Sequence, residues 1–535
     1  MILRIAMARI RPHLPLVVLV AAISVLAVGC RRGEEGKKPA RRPLVVVGID
    51  GGEWRVIERL WGQSRLPNLR ALAQRGVKGE LKTAYNSSPV IWTTIATGVT
   101  PQRHGITDFV VPTDRGDLPV SSGLRKVPAL WNMTTRARLR TAVLGWWATW
   151  PAESIEGVLV SDRALLDLPN RVSPPEFLER FEAARRTSLS EPSRFRLDEE
   201  SGRRDRAMAV MGRSLLAEDR DDLMLLYFRS TDTVSHRFWK YFEPEFFPPI
   251  DPEELAANRG RVPHVYEAVD DALGSLVAAA PDANFLVISD HGFHATAREE
   301  ETKVLLDLDL VLERLGYLVR HDGVIDFAKT RCYSFASPNF RRARYLRFAL
   351  AGREPGARVR PSETPDLKRR LAADLARVTY KGGEPAFFVR APRLREAKKG
   401  VDLVVGVSPV GATDELMIGG AIYRGAVSGV DRISGTHTTT THGILIAGGP
   451  DIQPGAPLEG IDVHDMAPTI LFGLGLPVAE DFDGEPHVNL FTADFRRLHP
   501  LRKVKSWGVR AARGARSSKA DDKLLDDLRS LGYIQ

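Results

Sequence analysis

The strongest constraint on the fold is a set of short apolar runs, each about as long as one buried β-strand. The first run, Leu44–Ile49, is continuous and closes with Asp50 and two glycines. A run that is apolar on both sides predicts a strand inside a parallel sheet, with Asp50 at its carboxyl end. Comparable runs follow at Thr141–Leu144, Leu223–Phe228, Asn284–Ile288 and Gly443–Ala447.

Segments with helical spacing separate these runs. The apolar positions that recur at helical intervals in residues 262–280 are Val265, Val269, Leu273 and Leu276. Alternation of strands and helices predicts an α/β fold with a mostly parallel central sheet. Ligands in such folds bind at the carboxyl ends of the strands, which is where Asp50, Asp232 and Asp290 fall.

The net charge of +9 lies at the two ends of the chain. Residues 1–42 contain nine basic and two acidic side chains, and residues 491–535 contain eleven basic and five acidic ones. The body between them, residues 43–490, therefore carries a net charge of −4. A fold that grips nucleic acid usually carries its positive charge on the folded body, so nucleic acid is not expected as a partner.

The N-terminal residues have the organisation of an export signal. Three arginines precede an apolar run, Leu14–Gly29, which is too short to span a bilayer comfortably. The run leads into Cys30, and residues 27–30 resemble a bacterial lipobox, with Ala27 where leucine is commoner. We therefore predict a lipoprotein signal peptide at residues 1–29. A plain signal peptide and an uncleaved anchor are the alternatives.

A lipid on Cys30 and the basic tether of residues 30–43 would together hold the chain on an anionic membrane. We thus predict that the chain is an exported bacterial lipoprotein, anchored to the membrane on its periplasmic or cell-surface side. The other cysteine of the sequence is Cys332, so a multi-disulfide scaffold and a four-cysteine zinc site are excluded. We expect Cys332 to be buried and inert.

The remaining sequence is assigned to a catalytic domain, residues 44–490, and a basic C-terminal tail with a short helix, residues 491–535. Two polar segments interrupt the alternation of strands and helices, at about residues 151–205 and 295–430. We interpret them as insertions that form lids or a cap around the site. The spacing of leucines predicts the helix of the tail near Asp521–Leu531.

Acids, imidazoles and a pair of serines occur in an ordered series along the catalytic domain. The series is Asp50, Ser87-Ser88, Asp232, His236, Asp290, His291 and His437. Carboxylates and imidazoles are the ligands expected for Zn²⁺ or Mn²⁺. Any single pair has an ordinary explanation, since an Asp-x-x-x-His pair is more often a surface ion pair. The joint occurrence in this order favours a metal site.

The series and its surroundings resemble the alkaline phosphatase superfamily. Within it, the sequence is similar to the type I phosphodiesterase/nucleotide pyrophosphatase branch and to the bacterial predicted phosphohydrolase/phosphomutase group. The motifs that carry the resemblance include Asp50-Gly51-Gly52, Pro67-Asn68-Leu69, Trp92-Thr93-Thr94, His104-Gly105-Ile106, Ala467-Pro468-Thr469 and Leu474-Gly475-Leu476-Pro477. The resemblance implies a three-layer α/β/α fold with inserted caps, and two divalent metals about 4 Å apart.

Carried over by position, the resemblance implies a ligand set for each metal. One metal would be held by Asp232, His236 and His437, and the other by Asp50, Ser88, Asp290 and His291. Ser88 lies ten residues before Gly98, which is where the family places its nucleophilic serine or threonine. The resemblance therefore implies that Ser88 is the nucleophile. Ser87 remains the alternative to Ser88, and His442 remains the alternative to His437.

One position departs from two branches of the superfamily. Ile91 stands where the nucleotide pyrophosphatases carry an asparagine and where the sulfatases carry an arginine. This residue argues against a sulfatase and against nucleotide diesters as substrates. The sequence does not single out an arginine or lysine that would hold the phosphate.

The function predicted from the sequence is hydrolysis of a phosphate mono- or diester through a phosphoserine at a two-metal site. Zn²⁺ is favoured as the metal, with Mn²⁺ as the alternative. One competing function is an envelope transferase that moves a phospho-head-group, and another is a non-catalytic binding lipoprotein. A phosphoglycerate mutase shares the ligand set, but the export signal argues against it. The substrate and the oligomeric state are left open.

Overall fold

A computed structural model describes residues 41–113, 116–190, 200–218, 221–296, 301–321, 324–335, 344–398, 400–531 and 533–534. The predicted signal peptide and most of the tether, including Cys30, lie outside the described residues. The fold described below is that of one compact unit, Arg42–Gln535. In the ranges given above, no helix combines the length and the apolar character needed to cross a membrane.

A mixed sheet forms the centre of this unit. Its described strands are β1 (Leu44–Ile49), β2 (Val77–Leu81), β3 (Thr141–Leu144), β4 (Gly157–Val160), β5 (Val172–Ser173), β6 (Leu223–Phe228), β7 (Asn284–Ile288) and β8 (Gly443–Gly448). Their spatial order is β2-β8-β7-β1-β6-β3-β4-β5. The strands from β7 to β4 run parallel. The outer pairings, which involve β2, β8 and β5, are antiparallel. The prediction of an α/β fold with a mostly parallel sheet is confirmed.

Helices cover both faces of the sheet. The described α-helices of the whole unit, including those of the second polar segment and the tail, are in chain order α1 (Trp54–Gly62), α2 (Pro67–Gln74), α3 (Ser88–Thr97), α4 (Pro101–His104), α5 (Leu130–Arg136), α6 (Phe177–Ser190), α7 (Glu200–Glu218), α8 (Ser230–Phe242), α9 (Pro252–Asn258), α10 (Arg261–Ala279), α11 (Leu308–Arg314), α12 (Thr364–Ala376), α13 (Leu394–Ala397), α14 (Met466–Gly473), α15 (Ala493–Leu498) and α16 (Asp521–Ser530). Alternate residues of β1 belong to two different cores, Val45 and Val47 to one and Leu44 and Val46 to the other. This alternation buries both faces of the strand and gives the three-layer α/β/α arrangement.

Residues 151–205 contribute to the sheet and to its helical layer. They contain β4, β5 and α6, and they lead into α7. Phe181 of α6 and Met208 of α7 belong to the same core as Val45 and Val47 of β1. The segment therefore builds the edge of the central sheet and part of the layer that covers it.

The second polar segment carries a core of its own. Its described strands are His294–Ala295, Glu301–Leu306, Arg320–His321, Val324–Ile325, Cys332–Phe335, Arg344–Phe348, Thr379–Tyr380, Phe387–Arg390, Leu403–Val407, Glu415–Ile418, Ala421–Arg424 and Val427–Ile433. Leu312, Leu346 and Leu371 are among the residues of this separate core. Cys332 is a buried free cysteine in the same core. This segment therefore packs around a hydrophobic core that is distinct from the two cores of the central sheet.

The C-terminal tail packs along the catalytic unit. The backbone N–H of Arg513 donates to the carbonyl of Gly123 at 2.8 Å. Farther along, the buried Arg163 binds Asp521 of α16, with 3.3 Å between Arg163 Nη1 and Asp521 Oδ1. Leu528 of α16 is one of several tail residues that form a small core with Phe109 and Val110. The tail is therefore a structural part of this unit.

Glu153 joins this tail to the domain at a point where three polar side chains meet. Its carboxylate accepts a hydrogen bond from Arg125, one from Trp131 Nε1 at 3.0 Å, and one from Arg510 Nε of the tail at 2.9 Å. Burial alone would raise the pKa of Glu153, but Arg125 and Arg510 outweigh it and lower the pKa to about 2. The folded state thus favours the charged carboxylate.

This arrangement predicts an acid-sensitive contribution to stability. Because the folded pKa of about 2 lies below the ordinary value of 4.5, the contribution is complete above pH 4.5 and disappears as the pH falls towards 2. We expect Glu153→Gln to lower the free energy of unfolding by about 3 kcal/mol at pH 7 and by much less near pH 2.5. Urea unfolding at the two pH values measures this, with the exposed Glu156→Gln as control. An equal loss at both pH values would contradict the prediction.

Candidate metal and active site

The candidate site lies where three neighbouring strands end. Asp50 follows β1, Asp232 lies in the first turn of α8 just after β6, and Asp290 follows β7. Since β7, β1 and β6 are adjacent and parallel, their carboxyl ends meet at one edge of the sheet. His236 lies one helical turn after Asp232, on the same face of α8. His437 follows the short strand Gly435–Thr436.

Ser88 is the first residue of α3 and is fully buried. Its hydroxyl donates a hydrogen bond to Asp50 Oδ1 at 3.3 Å. Ser87, the residue before it, is also buried, but its hydroxyl forms no hydrogen bond with any residue in the described ranges. The structure therefore brings Ser88, rather than Ser87, into contact with a predicted metal ligand.

Two overlapping groups of ligand atoms lie around Asp232. Asp232, His236 and His437 each offer an atom within 4.8 Å of the others, and so do Asp50, Asp232 and His291. The distance from His236 Nε2 to Asp232 Oδ1 is 3.3 Å. His442 belongs to neither group, so the geometry favours His437 of the two candidates.

Asp290 and Asp50 both approach the ring of His291. The distance from His291 Nε2 is 3.4 Å to Asp290 Oδ2 and 3.5 Å to Asp50 Oδ1. Gly51 has a φ of +66° and its N–H donates to Asp290 Oδ1 at 3.2 Å. A Cβ at this position would come within 2.9 Å of the Phe293 ring, which explains the glycine.

The backbone selects which nitrogen of two imidazoles faces the cluster. His236 Nδ1 lies 2.9 Å from the carbonyl of Gly435, and His291 Nδ1 lies 2.9 Å from the carbonyl of Gly292. A carbonyl only accepts, so each Nδ1 is the donor and carries the hydrogen. In the neutral rings, Nε2 then presents a lone pair to the carboxylates, which is the arrangement of a metal ligand.

Negative charge accumulates at the site without a matching cation among its ligands. Burial, followed by the carboxylates of Asp290 and Asp232, raises the pKa of Asp50 well above its ordinary value. Burial also raises the pKa of Asp290. The pKa of Asp232 is lowered, because the imidazoles of His236 and His291 outweigh the effect of burial. Three buried carboxylates in contact require compensating positive charge.

Several atoms at the centre of the cluster are buried and form no hydrogen bond with any described residue. They are Asp232 Oδ1, Asp290 Oδ2, His236 Nε2 and His291 Nε2. Buried polar atoms without partners are costly, and these carry lone pairs directed at one another. A divalent cation would satisfy the lone pairs and the excess negative charge together. The residues present therefore fit a metal centre.

The type I phosphodiesterase / nucleotide pyrophosphatase family model matches residues 44–386 of the sequence. The chain belongs to this family. Its members hydrolyse phosphoric esters, so the chain is a phosphoester hydrolase. The enzymes of the family use divalent metals, in agreement with the Asp and His groups at the strand ends.

Several solved structures are similar to the chain at low sequence identity. Murine ectonucleotide pyrophosphatase / phosphodiesterase 5 shares 15% identity, with 84% of this chain and 100% of that chain covered and a TM-score of 0.45. Phosphonoacetate hydrolase from Sinorhizobium meliloti 1021 shares 16% identity, with 81% of this chain and 95% of that chain covered and a TM-score of 0.43. No curated protein sequence matches the chain.

Two tyrosines that sequence analysis missed hold the carboxylates of this phosphodiesterase-family site. The hydroxyl of Tyr227 donates to Asp50 Oδ2, and the hydroxyl of Tyr533 donates to Asp232 Oδ2. In each carboxylate the other oxygen, Oδ1, faces the cluster. Tyr227 could have been noticed from its place near the end of β6. Tyr533 gave no signal, because it lies 301 residues from Asp232 in the sequence.

Proposed function

We propose that the chain hydrolyses a phosphate mono- or diester by forming a phosphoserine at Ser88 in a centre that holds two divalent cations. The observation that carries this proposal is the hydrogen bond from the Ser88 hydroxyl to Asp50 at the edge of the buried cluster. A buried hydroxyl directed at metal ligands is the arrangement that turns a weak nucleophile into a strong one.

We assign the ligands as the resemblance to the alkaline phosphatase superfamily implies. Asp232, His236 and His437 would hold one cation, and Asp50, Ser88, Asp290 and His291 would hold the other. When bound, the cations lower the pKa of a coordinated hydroxyl or water and stabilise charge on the phosphoryl oxygens. A donor set of imidazole nitrogens and carboxylate oxygens favours Zn²⁺ and also accepts Mn²⁺.

Ser88 carries the covalent step of this proposal. Its Oγ attacks the phosphorus in line with the leaving alcohol, the bond from phosphorus to that alcohol breaks, and the alcohol leaves with a proton. Water then attacks the phosphoserine, which releases the phosphate product and restores the hydroxyl. The hydrogen bond to Asp50 fixes the direction of Oγ. The position of Ser88 at the start of α3 adds the positive end of the helix dipole.

An activity screen with parallel metal analysis tests the proposal. The full chain in detergent is offered phosphate monoesters and diesters after loading with Zn²⁺ or Mn²⁺, and its metal content is measured. We expect two divalent ions per chain, and turnover that a chelator removes and added metal restores. Fewer than two ions per chain and no turnover would instead indicate a binding lipoprotein. Exclusive transfer of the phosphoryl group to an added alcohol would indicate a transferase.

We also propose that the chain is exported and anchored to the membrane through a lipid on Cys30. The support is the sequence of residues 1–29 with its lipobox-like end. Membrane fractionation and labelling with a radioactive fatty acid test this. We expect Cys30→Ala to lose the label and to leave the membrane fraction, whereas Cys332→Ala keeps both. Retention of the label by Cys30→Ala would refute the anchor.

A further inference from the structure

A pocket open to solvent lies between the candidate site and the C-terminal tail. One wall comes from α16, through Leu524 and Leu528, and the opposite wall includes Trp147, Tyr227 and Arg229. Trp147, Arg229 and Leu524 are partly exposed, so the pocket can be reached from solvent. Its surface combines apolar side chains with three arginines and the two acids Asp162 and Asp527. The carboxylate of Asp162 already accepts hydrogen bonds from the backbone N–H groups of Thr149 and Trp150.

Side chains that line the pocket contact the carboxylates of the proposed reaction centre. Trp147 Nε1 donates to the hydroxyl of Tyr227 at 2.7 Å, and that hydroxyl donates in turn to Asp50 Oδ2. Phe109, which also lines the pocket, stacks on Tyr533, whose hydroxyl donates to Asp232. A group bound against Tyr227 would therefore lie one side chain away from Asp50, the residue that Ser88 contacts.

Three arginines line this pocket, and two of them already bind other groups of the protein. Arg163 binds Asp521 at 3.3 Å and donates to the carbonyl of Val120 at 2.8 Å. Arg204 binds Asp205 at 3.2 Å and also donates to a backbone carbonyl. These two side chains hold the pocket together and are not available to a ligand.

Arg229 differs from the other two arginines. Its Nε is buried and donates to no residue in the described part of the chain. The guanidinium lies over the ring of Trp147, 5.4 Å from the ring centroid. Burial alone would lower its pKa, but nearby Tyr227 and Tyr533, and then the two acids Asp232 and Asp50, raise it, so the group keeps its charge. A buried guanidinium donor without an acceptor is suited to an anionic ligand.

We propose that this pocket binds the leaving group of the substrate and that Arg229 pairs with an acidic group on it. The inference rests on the proposed function, which it deepens by naming a substrate class: phosphate esters whose alcohol part carries a second anion on an apolar or aromatic frame. The leucines of α16 and the ring of Trp147 contact the frame, and Arg229 selects the anion. Arg229 then determines specificity without taking part in bond making or breaking.

Matched substrates test this assignment. Phenyl phosphate is compared with 4-carboxyphenyl phosphate, and both are also tested as methyl diesters, with the metal-loaded full chain. We expect kcat/KM to be about tenfold to a hundredfold higher for the carboxylated member of each pair. This is the gain in binding that one charge-assisted hydrogen bond typically provides. Arg229→Met should bring the ratio to about one, and Arg229→Lys should retain part of it. The control Arg75→Met changes an exposed arginine of the same domain and should keep the wild-type ratio.

A binding measurement separates failure of this inference from failure of the proposed function. Calorimetry compares 4-hydroxybenzoate with phenol as ligands of the Ser88→Ala chain, with and without Arg229→Met. Tighter binding of the hydroxybenzoate, lost in the double variant, supports the pocket even if no ester is turned over. Equal binding of the two alcohols, or a carboxylate preference that survives Arg229→Met, overturns it. If Arg229→Met instead lowered kcat/KM for both esters of a pair by the same factor, Arg229 would contact the transferred phosphate. That result would also overturn the inference.

Discussion

Ser88→Ala is expected to lower kcat/KM for phosphate esters by about a thousandfold or more. The variant removes the serine hydroxyl that contacts Asp50 Oδ1 in the buried cluster. Without Oγ, no phosphoserine can form, and water would have to attack the ester directly. The measurement is steady-state turnover of the best ester from the activity screen, together with trapping of radioactive phosphate on the wild-type chain.

Two companion measurements make this result specific. Ser87→Ala removes the neighbouring hydroxyl, which forms no hydrogen bond with the described residues, and should reduce activity by much less. Ser88→Ala should keep most of its bound metal, because the carboxylates and imidazoles of the cluster remain. Full activity in Ser88→Ala, or phosphate trapped on a different residue, would remove the covalent step from the proposal.

The central sheet could be predicted because its information is local. The strands β1, β3, β6, β7 and β8 are short apolar runs, and the run from Leu44 to Ile49 matches the first strand of the sheet residue for residue. The rule that strand ends converge then places Asp50 and Asp290 together, although 240 residues separate them in the sequence. The direction of each strand is harder to predict from the sequence. For example, β8 is one of the apolar runs, but it pairs antiparallel to β7.

Features that depend on contacts between distant residues could not be predicted in the same way. The polar character of residues 151–205 suggested a lid, whereas β4 and β5 lie at the edge of the central sheet. The choice between Ser87 and Ser88 depended on which hydroxyl faces Asp50, and spacing alone does not determine that. The sequence identified the tail only as basic with a short helix, yet Tyr533 in that tail is only 4% exposed and contacts Asp232.

The contact of Tyr533 with Asp232 leads to the second large effect. Its hydroxyl donates to Asp232 Oδ2, and its ring stacks on Phe109 with centroids 4.5 Å apart and an interplanar angle of 11°. The stack fixes the position of the Tyr533 ring. Because its hydroxyl binds Asp232 Oδ2, the other carboxylate oxygen, Oδ1, faces His236. Side chains that orient a ligating carboxylate contribute to metal affinity. Their loss typically weakens metal binding by about tenfold to a hundredfold.

We therefore expect Tyr533→Phe to weaken binding of Zn²⁺ by about tenfold to a hundredfold, with the stack on Phe109 retained. Removal of residues 533–535 should weaken it further, because the ring is lost with the hydroxyl. Calorimetric titration of the metal-free chain measures the affinity. Turnover at rising Zn²⁺ then shows whether activity returns once metal is saturating, as expected for a residue that positions a ligand.

Tyr317→Phe is the matched control for this prediction. Tyr317 also donates its hydroxyl to an aspartate, Asp374 Oδ2 at 2.7 Å, but the pair lies in the segment of residues 295–430, which has a core of its own. Loss of a tyrosine–aspartate hydrogen bond there should lower stability without changing the affinity for Zn²⁺. If both variants bound Zn²⁺ like the wild type, Tyr533 would serve only to pack the tail. If Tyr533→Phe alone lost affinity, the last residues of the chain would belong to its metal centre.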